Sequence, residues 1–71
     1  MQYDEIKIGA IVKNLEPLTG IPKDSIGKVV EFYDEEKKSR GITVVWCSPI
    51  GVKGIRDGFN ESELESLEFL K

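Results

Sequence analysis

From Ile42 to Cys47 the chain runs Ile-Thr-Val-Val-Trp-Cys, opening with four β-branched residues. Such residues are stiff at χ1 and fit a pleated, half-buried surface better than a helix, so the segment predicts a strand. With a period of two, Ile42, Val44 and Trp46 share one face and Thr43, Val45 and Cys47 the other. The first face is assigned to the core. Both faces are largely apolar, a pattern that suits a strand whose outer side is covered by a neighbouring loop. Upstream, Gly27, Val29 and Val30 mark a partner strand. Downstream, a glycine-rich turn leads to Phe59, Asn60, Glu63 and Leu64. This order predicts a small, strongly bent β-barrel closed by a helical turn.

The remaining elements follow from local signals. Ala10, Ile11, Val12 and Leu15 after Gly9 predict a first strand. Glu16 to Ser25, with Pro17, Gly20 and Pro22, predicts a long loop, because proline cannot donate to a strand ladder. Ile21 at its centre predicts that the loop folds back and packs. Ile26 to Tyr33 is the second strand, with Gly27 offering a bulge or a close backbone approach. Asp34 to Gly41 reads as a polar connection, making a hairpin with the third strand. Ser48 to Gly51 reads as a turn and Val52 to Arg56 as a weak edge strand interrupted by Gly54. Asn60 and Glu63 have the spacing of a capping box. Beyond it, Leu67 and Phe69 fit one strand face, while Leu64, Leu67 and Leu70 fit a helix. A single helical turn followed by a closing strand is preferred, because closure gains the sheet more than a short acidic helix.

At 71 residues the chain is one domain, 1–71, with a core over about Gly9 to Leu70. A domain of this size buries only about 60% of the surface its unfolded chain exposes. No apolar run approaches the roughly 20 residues that cross a bilayer. Met1 to Ile8 mixes Asp4 and Glu5 with Lys7 and lacks the pattern of a signal peptide. One cysteine cannot form an internal disulfide, which fits a reducing compartment, so the expected location is cytoplasmic. There is no histidine, which removes the commonest general base and zinc ligand. The net charge of −3 opposes a phosphate backbone.

Several segments carry a family resemblance. Gly27-Lys28-Val29-Val30 resembles the turn-and-strand core of KOW-type barrels, and Val44-Val45-Trp46 resembles their third strand. Phe59 with Glu63-Leu64 resembles the F-x-x-x-E-L closure of the small barrel-shaped accessory protein of photosystem I and of the variable chain of ferredoxin:thioredoxin reductase. Over about Gly9 to Leu70 the chain resembles short bacterial SH3-like proteins with a G-I-P loop, a G-x-V-V strand and a terminal acidic E-L segment. The resemblance implies an all-β fold: a small, partly open, antiparallel SH3-like barrel of about five strands with one helical turn before the last. The A-L-Y-D-Y motif and paired tryptophan of polyproline-binding SH3 domains are absent, and the surface is less basic than that of the photosynthetic barrels.

Each candidate site residue has a structural reading beside its functional one. Trp46 is read first as core and alternatively as the floor of a binding groove, with Tyr33, Phe32 and Phe59 as possible members of an aromatic cage. Lys37, Lys38 and Arg40 form a basic tip whose field is cancelled by Asp34, Glu35 and Glu36. Asp57, Glu61, Glu63, Glu65 and Glu68 read as a solubilising acidic face. Cys47, with no histidine to activate it, is read as a packed thiol. No catalytic residue, cofactor or metal is expected, and a barrel this small offers little concave volume for a substrate. The functional expectation is a non-catalytic adaptor that binds another protein through Glu16 to Ser25 and the Asp34 to Arg40 tip. Its candidate contact residues are Pro22, Tyr33, Lys37, Lys38, Arg40 and Trp46. The alternatives are a KOW-like nucleic-acid or ribosome binder using Lys28, Lys37, Lys38, Arg40, Lys53 and Arg56, and an accessory component of a larger enzyme complex, docking through its acidic closure. No membrane contact is expected, and the oligomeric state is left open.

Overall fold

Apolar alternation builds the sheet. The computed structural model describes residues 3–35 and 39–70 and contains, among them, five strands: β1 (Ile11–Asn14), β2 (Ile26–Glu35), β3 (Ser39–Ser48), β4 (Arg56–Asn60) and β5 (Leu67–Phe69). They lie in the order β4-β3-β2-β1-β5, and every neighbouring pair is antiparallel. The two end strands, β4 and β5, do not pair, so the barrel is open between them. A 3-10 turn at Tyr3–Glu5 precedes the sheet, another at Ile50–Val52 follows β3, and a 3-10 helix at Glu61–Ser66 leads into β5. This is a small, all-β, partly open SH3-like barrel with one short helix before its last strand. No helix among the described residues is long and apolar enough to cross a membrane.

The core forms where the inward faces converge. Val12, Val29, Ile42, Val44 and Trp46 have no exposed surface, and Ile21, Val52, Phe59, Leu64 and Leu67 complete the cluster. Ile6 belongs to it as well, so the core begins before Gly9. Trp46 packs over Gly27 of β2, its cross-strand partner. A Cβ at Gly27 would lie 2.5 Å from Val44 Cγ1 and 2.8 Å from Trp46 Cε3, so the indole needs a glycine beneath it.

Irregular pairing bends the two long strands. Ile26 pairs with Ser48 but Gly27 with Trp46, which makes Cys47 the extra residue of a bulge in β3. Val29 pairs with Val44 but Glu31 with Thr43, which makes Val30 the extra residue in β2. Bulges break the inward-outward alternation and sharpen the twist, as a small barrel requires. The expectation of a packed Cys47 thiol fails because Cys47 follows the inward Trp46 onto the outer face, where nothing covers it and it is exposed.

Other boundaries also differ from the sequence reading. The hairpin ladder continues to Asp34↔Arg40 and Glu35↔Ser39, so much of the expected Asp34 to Gly41 connection is strand. Strand there carries no apolar signature, because the ladder has run past the core. The expected strand at Val52 to Arg56 is instead a 3-10 turn ending at a buried Val52, and β4 begins only at Arg56. The Gly54 amide donates to the Trp46 carbonyl and the Trp46 amide to the Ile55 carbonyl, which turns the chain back onto β3. As expected, β4 is an edge strand.

The capping box is present in full. Asn60 Oδ1 accepts from the Glu63 amide at 3.1 Å, and Glu63 Oε1 accepts from the Asn60 amide at 3.0 Å. The helix it starts is a 3-10 helix, followed by the closing strand that the sequence reading preferred over a continued helix.

Candidate functional site

The candidate contact residues do not gather in one place. Trp46 is fully buried, its indole N–H donates to Asp57 Oδ2 at 2.6 Å, and its ring meets Phe59 edge-on at 6.2 Å. It is a core residue and not the floor of a groove. Tyr33 is half-buried, with its ring over Gly41 of the adjacent β3 and reaching Gly58 of β4 beyond it. Phe32, 40% exposed, meets Tyr3 instead. The four aromatic residues therefore form no cage. Lys37 and Lys38 lie outside the described residues.

Arg40 is committed within the molecule. Its Nε donates to Glu61 Oε1 at 2.9 Å and its Nη2 to Glu61 Oε2 at 3.1 Å, a bidentate pairing. Its Nη1 lies 3.7 Å from Asp4 Oδ1, and its Cζ sits 4.4 Å from the centre of the Tyr3 ring. The Tyr3 ring in turn meets Phe32 at 5.5 Å. Arg40 thus ties the N-terminal 3-10 turn and the start of the 3-10 helix to β3. These hydrogen bonds raise the Arg40 guanidinium and hold the Glu61 carboxyl below its ordinary value of 4.5. Because the folded value is the lower one, the pairing is complete above the ordinary value and is lost as pH falls through the folded value. A carboxyl-carbon NMR titration should place the Glu61 midpoint below 4.5 and return it towards 4.5 in Arg40→Gln. An unshifted midpoint in the unmodified chain would contradict the pairing.

Of the acidic residues Glu61, Glu63, Glu65 and Glu68 are exposed and Asp57 is half-buried, and four of the five make a local contact. Asp57 accepts from Trp46, Glu61 from Arg40 and Glu63 from the Asn60 amide, while Glu68 lies 3.5 Å from Lys13. Each makes a separate local contact whose partner is distant in sequence or set by backbone geometry, so composition alone gave no signal of it.

Pro22 is exposed, but its carbonyl anchors the long loop. It accepts from Ser25 Oγ at 2.7 Å, from Asn14 Nδ2 at 3.3 Å and from the Ser25 amide at 3.3 Å. Asn14 and Ser25 are fully buried, and neither stood out in the sequence. Leu18 and Ile21 exchange amide-to-carbonyl bonds of 2.8 and 2.9 Å, and Ile21 is buried, so the loop folds back and packs as expected.

The concave surface lies elsewhere. A groove of about 590 Å³ is lined by Glu5, Leu15, Leu67, Glu68 and Phe69. A smaller hollow of about 290 Å³ adjoins it across Glu5 and Phe69 and is formed otherwise by residues 6–10. Leu67 and Phe69 point inward while Glu68 points outward, so the groove touches all three residues of β5. Around it Leu15, Ile8 and Leu70 are exposed apolar side chains. Sequence reasoning missed this groove because it depends on β5 being an end strand. No protein-family model, curated protein or solved structure matches the chain.

Proposed function

We propose that the chain is a non-catalytic, cytoplasmic protein-binding module of SH3-like type. The observation that carries this reading is the groove beside β5, lined by Leu15 at the root of the long loop, Leu67 and Phe69 together with Glu5 and Glu68, and adjoined by a hollow that exposed Ile8 lines. Clustered exposed apolar side chains around a concavity are the usual mark of a recognition surface, and loops held on a rigid scaffold are where binding residues concentrate. The tied loop at Pro22 fits a surface that is shaped before its partner arrives, which lowers the ordering cost of binding. Arg40 and Arg56, two members of the nucleic-acid alternative, face carboxylates at Glu61 and Glu31, which lends that alternative no support.

The test is capture from an extract of the source cell with the immobilised chain, alongside a Leu15→Asp/Leu70→Asp variant shown by circular dichroism to be folded. A protein retained in stoichiometric amount by the first and lost from the second is the expected result. Equal retention by both, or retention of nucleic acid alone, would refute the reading.

A further inference from the structure

Residues 3–8 run ahead of β1 and belong to no strand, yet they close part of the core. Side chains hold them there. Ile6 is buried in the core cluster, and Tyr3 packs on its margin. The Tyr3 ring meets Phe32 at 5.5 Å and carries the Arg40 guanidinium at 4.4 Å, while Asp4 stands 3.7 Å from Arg40 Nη1. The Asp4 contact is weak, because its side chain is 81% exposed and water competes for it. The segment ends at Gly9, whose amide donates to the Val29 carbonyl at 2.8 Å and whose φ of +95° suits a glycine pivot. Two hollows flank it. Glu5 and Phe69 line both the 590 Å³ groove and the 290 Å³ hollow, and residues 6–10 line the second, so space lies between the segment and β5. Lifting residues 3–8 about Gly9 joins the two hollows and adds the place that Ile6 vacates. No strand pair parts in that movement, because residues 3–8 belong to none.

We propose that residues 3–8 are a strap seated in the protein's own binding site, and that a partner displaces it with a segment reading aromatic, acidic, any residue, aliphatic. The inference rests on the protein-binding reading above and adds how access to the site is governed. The strap's own contacts name the occupant. Arg40 commits Nε and Nη2 to Glu61 and presents Nη1 and one flat face to the strap. An aromatic ring followed by a carboxylate satisfies that face through cation–π and charge attraction. An aliphatic side chain two residues further along fills the place of Ile6. A basic residue at the acidic position is opposed by Arg40. The strap is tethered, so its effective concentration is about millimolar and a free segment must compete against it. The apparent affinity of the partner is its intrinsic affinity reduced by the fraction of chains with the strap lifted.

The test joins hydrogen exchange to binding. In native-state exchange the Ile6 amide, bonded to the Tyr3 carbonyl, should open at lower denaturant than the Val29 amide, bonded to the Ala10 carbonyl. Opening of the two together would make the strap an inseparable part of the core and overturn the proposal. The binding probe is a blocked peptide, Tyr-Asp-Glu-Ile-Lys-Ile, titrated into the isotope-labelled full chain and followed by amide NMR shifts. Its controls carry Lys in place of Asp, or Ala in place of the first Ile. Weak binding by the unmodified chain is expected, with shifts at Phe32, Arg40 and Phe69, and neither control should produce them. Asp4→Lys and Tyr3→Ala should each tighten the peptide a few-fold and the double variant about tenfold, since an exposed ion pair and a cation–π contact no longer hold the strap. Asp4→Lys alters an exposed side chain, which keeps a folded chain in the comparison should Tyr3→Ala unfold. Absence of binding to Asp4→Lys, an affinity unchanged from the unmodified chain, or equal binding of the Lys control each overturns the proposal. So does a dimer in sedimentation that the peptide dissolves, which would make a second copy the occupant. If the chain captures a cellular protein that the peptide does not displace, the strap inference fails while the protein-binding reading stands. If the chain captures nothing, that reading fails, and the exchange and peptide results still decide the strap.

Discussion

Replacing Trp46 with alanine should cost about 3–5 kcal/mol, a large share of the stability of a domain this small. A chain this short has only about 4–11 kcal/mol of stability in all. Trp46 is fully buried, and its ring fills the space over Gly27, beside Val44 and against Phe59. Few other side chains are near enough to collapse into the cavity, because Gly27 has none. The indole also satisfies Asp57 through a 2.6 Å hydrogen bond. Trp46→Phe separates the two contributions. It keeps most of the apolar area but strips Asp57 of its donor, a loss of about 1–3 kcal/mol that half-exposure of Asp57 moves towards the lower figure. In Asp57→Ala the effect of Trp46→Phe should shrink by that amount. Urea unfolding followed by far-ultraviolet circular dichroism gives all four values. A cost for Trp46→Ala below about 1 kcal/mol, typical of surface positions, would remove Trp46 from the core.

What the sequence made legible was whatever depends on neighbours along the chain. The inward face of Ile42, Val44 and Trp46 follows from alternation alone. The Asn60 and Glu63 cap follows from a three-residue spacing, and the packed loop from an isoleucine set among turn residues. What stayed hidden depends on register. Cys47 becomes a bulge residue because Ile26 and Gly27 pair two residues apart on β3, a shift that no local pattern announces. The hairpin outruns its apolar signature because ladder bonds continue after the core ends. Arg40 looked like a solvated tip beside Lys37 and Lys38, yet its partners Glu61 and Asp4 are far from it in sequence. The groove at β5 is hidden for the same reason. Which strands lie at the ends of a sheet is a property of topology, and the side chains of Leu67 to Phe69 read the same in a central strand.

Gly41 should be the least replaceable glycine in the sheet, because what crowds it is backbone. It pairs with Tyr33 on one side and Asn60 on the other. A Cβ there would overlap the Phe59 carbonyl oxygen and press on the Tyr33 ring. The Phe59 carbonyl belongs to the β3–β4 pairing and cannot withdraw without parting the strands. Gly41→Ala is therefore expected to cost about 3 kcal/mol or more, the upper end of overpacking penalties. Tyr33→Ala should relieve little of it, since the carbonyl remains. At Gly27 the obstacles are side chains, Val44 Cγ1 at 2.5 Å and Trp46 Cε3 at 2.8 Å. Gly27→Ala should cost about 1–3 kcal/mol, and Val44→Ala in the same chain should recover part of that by removing the nearer atom. Gly51, with nothing within 4 Å of its Cβ position, is the control, and Gly51→Ala should change stability by less than about 0.5 kcal/mol. Equal costs at Gly41 and Gly51, or full rescue of Gly41→Ala by Tyr33→Ala, would show that the β3–β4 backbone gives way more readily than a paired ladder should.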